Sequence, residues 1–118
     1  MKNTLFLVFI FVSFLFLAGC SYAVDPNAEK LVTHMEQTGV KMYGAFWCGH
    51  CEDQKKILGE TVRNIYVECD ARGKKEQAEL CIEKGIEGYP SFELVNGSLI
   101  SGVHSVRELA EITGLSLD

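Results

Sequence analysis

The chain has 118 residues, room for one small domain, and a formal charge of −5 from 11 basic and 16 acidic side chains. That balance argues against a nucleic-acid partner, because no basic run offsets it and the adjacent pairs Lys55-Lys56 and Lys74-Lys75 lie close to acids, as on solvated helix faces. A core this small leaves much of its surface exposed, so cross-links count for more than in a larger domain, and the chain carries 5 cysteines.

Leu5 to Ala18 is apolar except for Ser13 and follows Lys2, the layout of a secretory signal. The stretch falls short of the about 20 residues that a bilayer span needs. Leu17-Ala18-Gly19-Cys20 is similar to the lipobox of bacterial lipoproteins, which implies cleavage before a lipidated Cys20. The competing site is Ser21-Tyr22-Ala23, with cleavage after Ala23 and loss of Cys20. The expected division is a leader over residues 1–19, a tether over 20–25 and a folded domain over 26–118. Both sites imply an exported domain, either held to the membrane by lipid on Cys20 or free in the periplasm or medium.

Asp25-Pro26 reads as a helix cap followed by proline in the first position, with Ala28, Leu31, Val32 and Met35 on one face and Gly39 as the stop; this predicts a helix over Pro26–Thr38. Val40–Phe46 is short, apolar and aromatic without helical period, and reads as a buried strand. It runs into Cys48-Gly49-His50-Cys51, after which Cys51, Gln54-Lys55 and Leu58 follow helical spacing up to Gly59. Asn64–Cys69 alternates, with Ile65, Val67 and Cys69 on one side and Tyr66 and Glu68 on the other, so a second strand is expected. Lys74–Lys84 is predicted helical, with Ala78, Cys81 and Ile82 inward. Phe92–Val95 and Leu99–Ser101 form strands of a tight hairpin about Asn96-Gly97. A last helix starts at the capping box Ser105-Val106-Arg107-Glu108, buries Val106, Leu109, Ala110 and Ile112, and stops at Gly114. A helical crossover between the first two strands and a hairpin later predict an α/β fold, a mixed sheet of about four strands covered by helices.

A CxxC at a strand-to-helix junction places the first sulfur at a helix N-terminus, where unpaired amides favour an anion, and thiolate is the nucleophile. An exposed Cys48 can attack a disulfide, and Cys51, one turn on, can resolve the mixed disulfide. His50 between them adds positive charge that favours the Cys48 thiolate. Export makes disulfides the default for the rest, and Cys69 and Cys81 read as a structural bridge closing a short loop, worth about 3 kcal/mol. A relay passing electrons to the CxxC, a four-cysteine zinc site and a purely structural Cys48–Cys51 bond are the competing readings. Tyr89-Pro90, between Gly88 and a strand, is placed for a cis proline. Trp47 belongs to the core or to the surface beside Cys48, and His34 and His104 read as exposed or capping residues.

Phe46-Trp47-Cys48-Gly49-His50-Cys51 resembles the active-site run of thioredoxins and, through Gly-His, of protein disulfide isomerases; Gly88-Tyr89-Pro90-Ser91 sits where that superfamily carries its cis proline. The resemblance implies a thioredoxin-like fold, with Pro90 packed on the CxxC and the Tyr89 backbone pairing with substrate. Met42-Tyr43-Gly44-Ala45-Phe46-Trp47-Cys48, Tyr66-Val67-Glu68-Cys69 and Gly85-Ile86-Glu87-Gly88-Tyr89-Pro90 are similar to the thioredoxin-like domain of bacterial vitamin K epoxide reductase homologues. That likeness implies disulfide exchange with a quinone-linked membrane protein, and its extra cysteine pair is matched by Cys69 and Cys81. The sequence departs from the pattern twice. It holds no four-helix membrane domain, so a separate membrane partner is expected. Met42 stands where thioredoxins carry a buried acid, so the proton acceptor for Cys51 is unassigned; Glu52 and Asp53 are the acids nearest to it in sequence.

The expected function is an exported thiol-disulfide oxidoreductase acting on protein thiols and disulfides, with Cys48 as nucleophile, Cys51 as resolving thiol, His50 as tuner and Trp47, Tyr89 and Pro90 on the substrate side. A dithiol pair needs no small-molecule cofactor, and none is expected, nor any metal. The alternative is a non-catalytic exported binding module in which both cysteine pairs are staples.

Overall fold

The computed structural model describes residue 19 and residues 23–118. Cys20 and the rest of the expected leader and early tether lie outside the described residues. Helix α1 spans Ala28–Thr38, two residues shorter at its start than expected. Asp25 is the reason: its carboxylate accepts the Asn27 N–H at 2.8 Å and its carbonyl accepts the Ala28 N–H at 2.9 Å, so Pro26 and Asn27 form a lead-in turn. The helix buries Ala28, Leu31, Val32 and Met35 and ends at Gly39, whose φ of 85° lets the Val40 N–H fold back to the Met35 carbonyl at 2.9 Å.

Strand β1 is Lys41–Gly44. It stops before Phe46 because the Cys48 N–H bonds the Ala45 carbonyl at 3.0 Å, closing a turn. Helix α2 runs over Gly49–Leu58 with Cys48 as its N-cap. A 3-10 helix over Glu60–Asn64 follows, then strand β2, Tyr66–Glu68. The alternation expected from Asn64 therefore begins late. Ile65 still closes the 3-10 turn and is buried with α1 and α2, whereas Val67 is buried on the opposite side of the sheet.

Helix α3 is Lys75–Glu83, burying Ala78 and Cys81. Ile82, expected inward, is 80% exposed, since it lies one residue and about 100° round from Cys81. Strands β3, Ser91–Glu93, and β4, Leu99–Ser101, form a hairpin with a three-residue connection rather than a two-residue one. Leu94 N–H bonds Ser98 O and Gly97 N–H bonds Leu94 O; only Gly97 has positive φ, as in a type I turn followed by a left-handed residue. Val95 is exposed at its tip. Helix α4, Val106–Thr113, has the expected capping box between Ser105 and Glu108 and buries Val106, Leu109 and Ala110. Ile112, expected behind them, is largely exposed.

The sheet order is β2-β1-β3-β4, with β1 parallel to β2 and antiparallel to β3, and β3 antiparallel to β4. Register puts Tyr66, Met42, Phe92 and Ile100 on one face, where they pack with α1, α2 and α4. Tyr43 and Val67 lie on the other, against Cys81 and Leu80 of α3. This mixed four-stranded sheet between helices is the thioredoxin-like α/β fold that the sequence led us to expect. No helix among the described residues is long and apolar enough to cross a membrane.

Candidate active site

β1 ends and α2 begins within four residues, and Cys48 stands at the junction. Its extended backbone (φ −83°, ψ 113°) turns Sγ toward the open helix end, where Sγ accepts the Cys51 N–H at 3.3 Å. This corrects the expectation of an exposed nucleophile: Cys48 is only 8% exposed because its sulfur caps the helix. Cys51 is fully buried, and burial, reinforced by the neighbouring Cys48 sulfur, holds its thiol well above the usual range for a cysteine. Both are free thiols in this structure. His50 is exposed on the first turn of α2.

Gln54, one turn after Cys51, is completely buried, and both ends of its amide are used. Its Nε2 donates to the His104 carbonyl at 3.0 Å and its Oε1 accepts the His104 N–H at 2.7 Å, tying α2 to the loop before α4. Sequence periodicity placed Gln54 on the inner face and gave no reason for a polar residue there.

The peptide bond between Tyr89 and Pro90 is cis, and Pro90 is buried. The Tyr89 ring meets Trp47 edge-on with centroids 6.0 Å apart. Trp47 belongs to the surface, 59% exposed beside Phe46 at 51%. Trp47 is nonetheless fixed, since its Nε1–H donates to Asp70 Oδ2 at 2.8 Å. Arg72 holds Asp70 through Nε and Nη2 at 2.9 and 2.7 Å and stacks over the Phe46 ring. The Arg72 hydrogen bonds, with the Trp47 bond, keep the Asp70 carboxyl well below the usual carboxylate range.

Cys69 and Cys81 are joined in a disulfide between the end of β2 and α3. Bonded to each other, these two sulfurs are not free thiolate ligands in this structure. His34 takes a capping position, its Nε2 3.0 Å from the Thr113 carbonyl at the end of α4, whereas His104 Nε2 lies 3.2 Å from the Ser101 carbonyl at the end of β4.

Over 108 residues the chain is 41% identical to thiol-disulfide oxidoreductase LTO1 of Arabidopsis thaliana. The match takes in 87% of this chain but 28% of the length of LTO1. No protein-family model matches the chain.

Sequence reasoning missed Glu68 and Asp70 as parts of the site. Both reach across to the run before Cys48, for Glu68 Oε1 accepts the Phe46 N–H at 3.3 Å and the Asp70 N–H at 3.0 Å. The available signal was strand alternation, which puts Tyr66 and Glu68 on one face of β2. It does not say that this face meets the CxxC.

Proposed function

We propose that the chain is a thiol-disulfide oxidoreductase in which Cys48 attacks and Cys51 resolves. The observation that carries this reading is the cap itself: a sulfur at the N-terminus of α2, 3.3 Å from the N–H of a second cysteine one turn on. The Cys51 N–H aimed at Cys48 Sγ puts that sulfur at the open end of α2, the position suited to the attacking thiol, while burial keeps the proton on Cys51. The order of events follows. Cys48 thiolate attacks one sulfur of a client disulfide, forming a mixed disulfide and releasing the first client thiolate. Cys51, once deprotonated, attacks Cys48 Sγ, forming the Cys48–Cys51 bond and releasing the second. The client gains two electrons and the chain loses two, and the reverse sequence oxidises client thiols.

The clients are protein thiols or disulfides, which an exposed Phe46-Trp47 rim beside a largely covered sulfur suits better than small thiols. His50 tunes the Cys48 thiolate, and Tyr89 and Pro90 form the substrate-side wall. Export rests on the apolar leader and tethering on the Leu17-Ala18-Gly19-Cys20 run. A quinone-linked membrane protein related to vitamin K epoxide reductase is the proposed redox partner, from the resemblance of the motif-bearing segments.

The test is the reduction potential of the Cys48–Cys51 pair, measured by equilibration in glutathione buffers with thiol trapping, with Cys48→Ser as control. Related dithiols span about −270 to −120 mV, and a value in that span that vanishes in the control supports a redox enzyme. A pair that does not exchange below the unfolding transition sinks the reading and leaves the stapled binding module.

A further inference from the structure

Resolution by Cys51 needs somewhere for its proton to go, and the position where the resemblance would place a buried acid holds Met42, buried and apolar. A different pair faces Cys51 from β2. A Cβ placed on Gly44 would stand 2.9 Å from Cys51 Sγ, 2.9 Å from Tyr66 Cε2 and 3.1 Å from the Tyr66 hydroxyl, so the missing side chain at residue 44 is what lets sulfur and phenol approach each other. The Tyr66 hydroxyl donates to Glu68 Oε2 at 3.1 Å. Room for the Glu68 side chain is made by a second glycine, since a Cβ on Gly73 would fall 2.7 Å from Glu68 Cγ. Glu68 is half-buried, with one carboxylate oxygen on Tyr66 and the other on the Phe46 and Asp70 amides.

From these contacts we infer that Glu68, acting through the Tyr66 hydroxyl, takes the proton from Cys51 when Cys51 resolves the mixed disulfide, and returns it in the reverse direction. The inference rests on the proposed roles of Cys48 and Cys51. No hydrogen bond joins Cys51 Sγ to the Tyr66 hydroxyl in the dithiol state, so the thiol turns toward the phenol when the mixed disulfide forms. The Cys51 proton then moves to the Tyr66 oxygen as the Tyr66 proton moves to Glu68 Oε2, and Glu68 gives it up to water, while the Cys51 thiolate bonds Cys48 Sγ and the client thiolate leaves. The other charged groups around the path are Asp70 with its partner Arg72, in the turn after β2, and Lys55 with Glu52 on α2. Lys55 Nζ sits 4.1 Å over the Tyr66 ring centroid, where its charge favours a thiolate at Cys51. Glu52 holds Lys55 at 3.0 Å. Burial and the Glu68 carboxylate keep Tyr66 itself protonated, so it conducts a proton rather than storing a charge.

The experiment mixes the reduced full chain with the aromatic disulfide dithiobis-nitrobenzoate and follows release of coloured thiolate. A first release reports attack by Cys48 and a second reports resolution by Cys51. Glu68→Gln keeps an acceptor for the Phe46 and Asp70 amides, and Tyr66→Phe keeps the ring. Both are expected to leave the first phase within about twofold and to slow the second by about 10- to 100-fold at neutral pH, with the gap closing as rising hydroxide takes over the proton. A second phase that is unchanged overturns the inference. So does one slowed equally at every pH, which marks a displaced thiol, or one accelerated in Glu68→Gln, which marks Glu68 as a mere negative charge. A wild-type chain that shows no first phase overturns the parent reading as well, whereas unaffected variants in a two-phase wild type overturn only this one.

Discussion

Gly44 has no side chain because Cys51 and Tyr66 occupy the space one would take. Gly44→Ala therefore forces the sulfur or the ring to move, and overpacking of this kind costs about 1–3 kcal/mol. Urea unfolding of wild type and variant under reducing conditions measures it, and equal midpoints would mean that the pocket yields freely. Asp70 gives a pH signature. Its carboxyl is depressed in the folded protein by Arg72 and Trp47, relative to about 3.9 when unfolded. Its contribution is thus complete above about pH 4 and fades as pH falls further toward the folded value. The difference in urea midpoint between wild type and Asp70→Asn is expected to stay constant from pH 5 to 7 and to shrink below about pH 4. A difference that varies instead near neutrality would remove Asp70 from the fastening of Trp47.

Among the elements, α2 has the most specific attachment. Gln54 satisfies the His104 N–H and carbonyl together, so Gln54→Leu strands two polar groups at a buried contact, and each costs about 1–3 kcal/mol. Calorimetry should show a fall in Tm far larger than for Lys56→Leu on the exposed face of the same helix. Helix α4 starts on a reciprocal capping box, and Ser105→Ala should lower stability by about 1 kcal/mol by urea titration. Such local devices were readable in the sequence. Capping residues, the stop at Gly39 and the CxxC at a strand end are decided within a few positions of each other. The 3-10 turn over Glu60–Asn64 was not, because no local pattern separates it from the strand that follows, and it reverses the facing of Ile65.

For the whole molecule, the sheet divides the core unequally. Among the described residues, three helices cover the Met42 face, while α3 alone covers the Tyr43 face and is joined to β2 by Cys69–Cys81. Replacing both cysteines by serine is expected to remove about 2–4 kcal/mol, seen as a lower Tm without reductant, and an unchanged Tm would mean that packing alone holds α3. The fold class was legible because the order of helices and strands restricts connectivity so strongly. The fastening of the site was not, since Glu68 lies 22 residues from Phe46 and Asp70 lies 23 from Trp47, and only the parallel pairing of β1 and β2 brings them together.

Trp47 is the one tryptophan in the chain, and it immediately precedes Cys48. Its indole is pinned by Asp70 and meets Tyr89 edge-on. The protein thus carries an intrinsic lamp beside its two free thiols, and if they join as proposed the emission of that single indole is expected to change without any label.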